Sequence, residues 1–337
     1  MKMSGVLDTL SRRSLAREET TGIFRHLMAG GYNEIEIAGL VAALKTRGET
    51  PEEIAGAAAA LRGAAVPFPA PPYPVADTCG TGGDGTCTVN VSTAVAIVAA
   101  EMGIPVTKHG NRSVSSQCGS ADVLEAVGVK LDASPEVSRR CLDEVGICFL
   151  FAPQYHSGVR HAMPVRKTLA TRTIFNLLGP LSNPGHPTWQ LMGVYDPSLC
   201  VPLAHTLGLL GCEAALVVHG AGLDEIALHG PTVGALWREG RVTELEVTPE
   251  EAGLPRSPIE ALRGGDPAHN ARWLRNLLAG RGSVAHRAAV AINTGALAWI
   301  SGKVPTLRDG VGLAEVALDS GRAVGRLERW VELSHGA

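Results

Sequence analysis

Residues 77–93 read DTCGTGGDGTCTVNVST, a stretch whose spacing suits phosphate chemistry. Gly80, Gly82 and Gly85 fit G-x-G-x-x-G, and with Gly83 they exceed what a simple turn requires. Glycine lets backbone N–H groups approach a phosphate closely, whatever the rest of the ligand is. A dinucleotide site would want an acidic residue at the end of the next strand, to hold a ribose hydroxyl. The strand expected over 104–107 runs instead into Lys108, His109 and Gly110. A lysine there suits a further phosphate and argues against NAD. Asn90, Val91, Ser92 and Thr93 precede an apolar helix expected over 94–102. Such residues are helix caps, and the free N–H groups with the positive dipole end also make an anion site. Beside the glycine loop, the anion reading is the better one.

A second loop, KHGNRSVSSQCGS at 108–120, gathers Lys108, Arg112 and the hydroxyls of Ser113, Ser115, Ser116 and Ser120. Ser120 is expected to cap a helix over 121–127. Lysine, arginine, hydroxyls and a helix N-terminus all donate to phosphate oxygens. Two such loops, each following a strand, point to a ligand with phosphate at both ends. A third stretch, AALVVHGAGLDE at 214–225, runs a buried strand into Gly220 and Gly222 and then Asp224 and Glu225. Neighbouring carboxylates on a strand would point to opposite faces, whereas on a glycine turn both can converge. Taken alone they are two exposed acids. Beside two phosphate loops they are the usual protein contribution to Mg²⁺, whose other ligands are waters and phosphate oxygens.

The elements that must position these residues are legible in outline. Residues 1–65 read as helices. Asn33 with Glu36 and Thr50 with Glu53 have capping-box spacing, and Pro51 suits a first helical position. Ile37, Leu40, Val41 and Leu44 share one helical face, which could pack on the rest of the chain or on a second copy. The five prolines of 66–74 predict a stiff extended connector and a domain boundary. From residue 75 to 337, strand-like runs such as 104–107, 147–151 and 214–219 alternate with helical ones. That alternation predicts an α/β domain with a mostly parallel central sheet, whose ligands bind at the carboxyl ends of the strands.

The chain has 337 residues, 45% of them hydrophobic and 19% charged, as expected of a folded protein of two domains. The formal net charge of −3 and 4% aromatic content argue against nucleic acid as the main partner. The seven cysteines are odd in number and lack C-x-x-C spacing, which fits a reducing compartment. No signal-type apolar run opens the chain, and no stretch of roughly 18 apolar residues predicts a membrane span. The cytoplasm is the expected location.

GTGGDG at 80–85, NVST at 90–93, KHGNRSVSSQCGSADVLEAVG at 108–128, RTIFNLLGPLSNP at 172–184 and GLDEI at 222–226 together resemble the anthranilate phosphoribosyltransferases. LRGGD at 262–266 and ALDSGRAVGRLERWVELS at 317–334 extend the resemblance over nearly the whole chain. The resemblance implies a nucleoside phosphorylase-like fold, Mg²⁺, 5-phosphoribosyl 1-diphosphate as cosubstrate, and a homodimer formed through the helical domain with part of 160–185. It further implies that Gly80, Gly83, Asp84, Thr88, Asn90, Val91, Ser92, Thr93, Lys108, Ser116 and Ser120 hold the cosubstrate. Asn111, Arg112, Ser113 and Ser115 belong to the same loop set. Ser92, Asp224 and Glu225 would serve the metal. Gly80, Asn111 and Arg166 would hold anthranilate, with His109, Pro153, Tyr155 and His156 lining its pocket.

Lys108, His109 and Arg166 are the side chains expected nearest the chemistry. Displacement at an anomeric carbon builds positive charge on the ring while diphosphate leaves, so the departing charge must be stabilised. An aromatic amine is neutral at pH 7 and needs placement more than deprotonation. His109 and His156 are candidate bases, but a lining or hydrogen-bonding role is the better reading of each. A pyrimidine nucleoside phosphorylase would share the fold but would not need Asp224 and Glu225. A non-catalytic nucleic-acid binder would want a basic face and stacking aromatics.

Overall fold

The computed structural model describes residues 2–113 and 117–336. Four helices, Met3–Leu10, Arg17–Met28, Glu34–Arg47 and Pro51–Gly63, form an N-terminal bundle. Both expected capping boxes are present. Asn33 accepts from the Glu36 N–H at 3.0 Å while its own N–H donates to the Glu36 carboxylate at 2.9 Å. Thr50 and Glu53 repeat the pattern at 3.3 and 2.9 Å. Ile37, Leu40, Val41 and Leu44 are all fully buried inside the protomer. Their hydrophobic face is thus consumed by the chain's own core and is not available to a second copy.

After the bundle, residues 64–75 form neither helix nor strand. Arg139 donates to the Pro69 and Ala70 carbonyls at 3.0 and 2.8 Å, which straps this proline-rich stretch to the larger domain. Seven strands follow: β1 Ala76–Gly80, β2 Val106–Gly110, β3 Ile147–Phe151, β4 Trp189–Gly193, β5 Ala214–Gly220, β6 Thr232–Arg238 and β7 Arg241–Val247. They lie in the order β3-β2-β1-β4-β5-β6-β7. The first five are parallel, and β6 and β7 extend the sheet antiparallel. The β6–β7 hairpin turns on Glu239 and Gly240, both at positive φ. β2 starts two residues later than the sequence predicts, so Lys108 and His109 are strand residues and not loop residues.

Successive strand side chains point to opposite faces of a sheet. Along β5, Ala214, Leu216 and Val218 enter one core with the helices Val91–Glu101 and Val284–Ile300. Ala215 and Val217 enter the other, which also contains the N-terminal bundle and the helices Met163–Leu169, Phe175–Leu181 and Cys200–Leu209. The bundle is therefore fused to one face of the sheet by a continuous core. The segment 160–185, expected to join the helical domain, does so within the protomer.

Candidate active site

The site is built where β1, β4 and β5 end. Each of the three strands finishes on a glycine, Gly80, Gly193 and Gly220. A side chain at any of them would collide with the acidic loop. A Cβ at Gly80 would lie 2.1 Å from the Asp224 carboxylate, one at Gly193 1.5 Å from the Asp224 carbonyl oxygen, and one at Gly220 2.1 Å from the Glu225 carbonyl oxygen. Three missing side chains thus form the bed on which Asp224 and Glu225 rest. The chain enters this bed by a tight turn in which Gly220 and Leu223 exchange backbone hydrogen bonds at 2.9 and 3.0 Å. Ala221 and Gly222 occupy its centre at φ +49° and +103°. His219 braces the turn. Its Nδ1 donates to the Val194 carbonyl at 2.8 Å, which leaves Nε2 to accept the Gly222 N–H at 3.1 Å.

Seated this way, the two carboxylates meet the phosphate-type backbone. The Gly82 N–H donates to Asp224 at 2.6 Å. The Ser92 N–H, in the first turn of helix Val91–Glu101, donates to Glu225 at 3.1 Å. Burial, with the charge of Asp84 nearby, pushes Asp224 up to about 6. Burial, with the charge of Asp224, pushes Glu225 up to about 8. The acidic pair is under-compensated by the protein. Its donor set with the Ser92 hydroxyl is all oxygen, the set that suits a hard divalent cation such as Mg²⁺.

Lys108 does not project into a loop. It is buried under the site at 1% exposure. Its ammonium donates to the Thr78 carbonyl at 2.8 Å and lies 3.3 Å from the Ser92 hydroxyl. Burial lowers its pKa, opposed chiefly by the charge of Asp77. Asp77 is itself buried and accepts from the Thr78 and His109 N–H groups and from Asn183. Asn183 also donates to the Thr107 carbonyl at 2.7 Å, so it ties β1 to β2 beneath the site.

The second loop is held mainly by its own partners. Arg112 pairs with Asp122 at 3.0 Å and Glu125 at 2.7 Å and lies over Phe151, so its guanidinium is engaged within the chain, contrary to the expectation that it is free for phosphate. Ser120 is the first helical residue and not the cap. Gly119 holds the cap position, and the Asp122 carboxylate accepts the Gly119 and Ser113 N–H groups at 2.8 and 3.0 Å. The Ser120 hydroxyl bonds the Asn111 carbonyl at 3.3 Å. Asn90 uses its whole amide to bind the Cys118 carbonyl and Asn270 at 3.0 and 2.8 Å. It thereby locks the two loops to the segment after LRGGD. Thr88 bridges to Arg263 within LRGGD itself. Val91 and Thr93 are buried. Ser115 and Ser116 lie outside the described residues.

Of the residues expected around an aromatic substrate, His109 and His156 stand together, with ring centroids 5.1 Å apart and edge to face. His109 Nδ1 lies 3.2 Å from the Gly179 carbonyl. Burial lowers both, His109 to about 3 with help from His156, and His156 to about 4. Both are neutral at pH 7. Arg166, on helix Met163–Leu169, is half-buried beside Phe175 and has no carboxylate partner among the described residues. Its half-desolvated guanidinium is suited to an external anion. The Asn111 side chain accepts the Arg112 N–H at 2.7 Å. Pro153 lies in the short helix Ala152–Tyr155 that follows β3. Tyr155 is fully buried in the main core, so it supports this turn from behind and presents no surface to a ligand.

Sequence reasoning missed Gly193, His219, Asn183, Asn270 and Arg172. Arg172 and Asn183 lie in the motif stretch 172–184, His219 lies in the stretch 214–225, and Gly193 closes an apolar run, LMG at 191–193, but none of these stretches assigns them a role. Their roles rest on contacts with segments far away in the chain, such as His219 with Val194, Asn183 with Asp77, Asn270 with Asn90 and Arg172 with Gly83.

A helical bundle joined to a mostly parallel sheet, with glycine loop and acidic pair at the strand ends, defines a glycosyl transferase. Two family models match, the helical bundle domain of the glycosyl transferase family over residues 6–65 and its a/b domain over residues 72–324. An anthranilate phosphoribosyltransferase of Sorangium cellulosum is 64% identical over 333 residues, covering 98% of this chain and 96% of the relative. The structure of the enzyme of that name from Thermus thermophilus superposes with a TM-score of 0.93 at 44% identity, covering 99% of this chain and all of the other. A Saccharomyces cerevisiae anthranilate phosphoribosyltransferase solved in complex with PRPP and Mg gives a TM-score of 0.89 at 26% identity, covering 99% of this chain and 98% of that one. The chain belongs to the anthranilate phosphoribosyltransferase family.

Proposed function

We propose that the protein transfers the phosphoribosyl group of 5-phosphoribosyl 1-diphosphate to the amine of anthranilate, releasing diphosphate, as a step of tryptophan biosynthesis. The observation that carries this reading is the acidic pair, seated on Gly80, Gly193 and Gly220 and facing both the glycine loop and the first turn of a helix. Ser92, Asp224 and Glu225 would hold Mg²⁺, which supplies positive charge against a departing diphosphate. The chain's own part is placement. N–H groups of the glycine loop and of the helix start offer donors to phosphate oxygens. Lys108 fixes the Ser92 hydroxyl from below. Arg166 offers two parallel hydrogen bonds to a carboxylate, which would set the position and plane of an aromatic acid. His109 and His156, neutral and buried, wall the site. The amine attacks in its neutral form, and the N–H proton it sheds once the C–N bond has formed passes to the departing diphosphate or to water.

Homodimerisation is part of the same reading, through a surface other than the one the sequence suggested. Ile35 is 85% exposed at the start of helix Glu34–Arg47, and Met163 and Leu169 are exposed on the neighbouring helix Met163–Leu169. Exposed aliphatic and thioether side chains on adjacent helices favour burial against a second copy. We also place the protein in the cytoplasm, a reading supported by seven cysteines that are all free and mostly buried.

The direct test is diphosphate release by the purified protein. Release that requires both anthranilate and Mg²⁺ is expected. Release of a free base from a nucleoside with inorganic phosphate, independent of metal, would replace this reading with a phosphorylase.

A further inference from the structure

One residue outside the assigned set bonds directly to the glycine loop. Arg172 lies between the helices Met163–Leu169 and Phe175–Leu181. Its guanidinium donates to the Gly83 carbonyl and stacks over the Tyr195 ring, with its central carbon 3.7 Å from the ring centroid. Tyr195 is tied to the same loop from the other side, because its N–H donates to the Thr81 hydroxyl at 3.2 Å, and the Thr81 N–H donates to the Gly193 carbonyl at 3.0 Å. The main chain that carries Arg172 is held by the helical bundle. The Lys45 ammonium donates to the Arg172 carbonyl at 2.7 Å and to the Thr171 hydroxyl at 2.7 Å.

We propose that Arg172 is a positioning residue that sets the geometry of the glycine-rich loop over the cosubstrate, with Lys45 of the helical bundle holding Arg172 in place. In a trans peptide the C=O and the next N–H are coplanar and point opposite ways. Pinning the Gly83 carbonyl therefore fixes the direction in which the Asp84 N–H is presented. Glycine-rich backbone has little stiffness of its own, so the 81–85 segment needs an external brace if its N–H groups are to be preset for phosphate. Arginine suits this place. Its planar cation can stack on an aromatic face and donate at its edge at the same time, which lysine's point charge cannot do. Arg172 and Lys45 are both exposed at the rim, so replacing them leaves the cores of bundle and sheet untouched. The arrangement also gives the bundle an effect on the catalytic loop that does not depend on any residue touching substrate.

The inference rests on the proposed transfer reaction, and its test has one arm that does not. In Arg172→Gln, backbone amides of residues 81–88 should exchange with deuterium at least fivefold faster than in the wild type, at an unchanged melting temperature. The KM for 5-phosphoribosyl 1-diphosphate should rise fivefold or more while that for anthranilate stays within twofold, a split that a general loss of stability would not produce. Arg172→Lys, which keeps the charge without the planar stack, should fall between. Lys45→Met should shift the same quantities in the same direction, and the double variant should be no worse than Arg172→Gln alone, because Lys45 acts through Arg172. Unchanged exchange in Arg172→Gln would overturn the brace, as would fully additive effects of the two substitutions. A wild type that releases no diphosphate would overturn the reaction, and the exchange measurement would still decide the brace.

Discussion

At the scale of single residues, the site is organised around charges that the protein leaves uncompensated. Asp224 and Glu225 are pushed above the usual carboxylate range by burial and by neighbouring acidic charge, and Arg166 is half-buried without a carboxylate among the described residues. Buried charge without a partner is costly, and such groups mark places completed by a ligand. Asp224→Asn with Glu225→Gln should therefore leave a folded protein that melts no lower than the wild type, while turnover at saturating Mg²⁺ falls by orders of magnitude. Turnover within tenfold of the wild type would remove the metal from these two residues. Arg166→Ala addresses the acceptor. Charge-assisted hydrogen bonds contribute roughly 1.5–3 kcal/mol each, so the KM for anthranilate should rise by about tenfold or more while that for the cosubstrate moves only a fewfold. The grip on an ortho carboxylate aims the amine, so the variant should also discriminate less between anthranilate and para-aminobenzoate. If it weakens the cosubstrate instead, Arg166 belongs to the phosphate side.

At the scale of elements, the sequence makes visible what short-range pattern controls. The capping boxes at Asn33 and Thr50, strand β3, and the strand running into Gly220 follow from local chemistry, and all are present. The positions of ligand-facing groups depend on register and long-range pairing. Local pattern puts Lys108 in a loop, yet the parallel pairing of Lys108 with Phe149 keeps it in β2 and turns its ammonium under Ser92. Local pattern also leaves Arg112 free, but helix Ser120–Ala126 supplies Asp122 and Glu125 one turn apart, and their geometry captures it. The bed of glycines is invisible in the sequence because Gly80, Gly193 and Gly220 meet only after three parallel strands are aligned. Gly193→Ala tests that bed. Its Cβ would fall 1.5 Å from a backbone oxygen, which cannot swing aside as a side chain could. Overpacking of this kind typically costs about 1–3 kcal/mol, and here it must also displace Asp224. A lowered denaturation midpoint and loss of most turnover are expected together. Gly39→Ala, whose nearest neighbour would be 3.7 Å away in a helix, is the control and should be neutral or slightly stabilising.

At the scale of the whole molecule, two cores share one sheet, and their burial sets the response to pH. His109 and His156 are neutral in the fold, with values near 3 and 4 against about 6.5 in an unfolded chain. Between those values the unfolded state binds more protons than the folded one. The stability contributed by the neutral pair is therefore intact above about pH 6.5 and is lost as pH falls through 6 toward 4. Each group can contribute a slope of up to about 1.4 kcal/mol per pH unit. Asp224 and Glu225, raised to about 6 and about 8, act in the opposite sense over the same range. The histidines are therefore read by difference: from pH 7 to pH 5 the urea midpoint of His156→Asn should fall less, or rise more, than that of the wild type. An identical pH response in the two proteins would remove His156 from the acid lability.

The fusion of bundle and sheet also decides how association must be tested. A charge at Leu40 or Leu44 would enter a core that is fully buried within the protomer. Burying an unpaired charge costs far more than a surface contact contributes, so Leu40→Glu should unfold the bundle and give no information about dimers. Ile35 is different. It sits at the first turn of the same helix, just after the Asn33 cap, and is 85% exposed. Met163 and Leu169, also exposed, lie on the helix that packs against it. If a second copy covers this surface, each isoleucine removed from water contributes roughly 1.5–3 kcal/mol, and a carboxylate in its place is left without a partner. Ile35→Asp should then keep the wild-type circular dichroism at micromolar concentration while sedimenting as a monomer, with a melting temperature that no longer depends on concentration. The acidic substitution also sits near a helix N-terminus, where it is favourable to the isolated protomer, so loss of the dimer could not be ascribed to loss of the helix. A variant that sediments as the wild-type dimer would move the interface away from Ile35, and a wild type that is monomeric at micromolar concentration would remove the interface altogether.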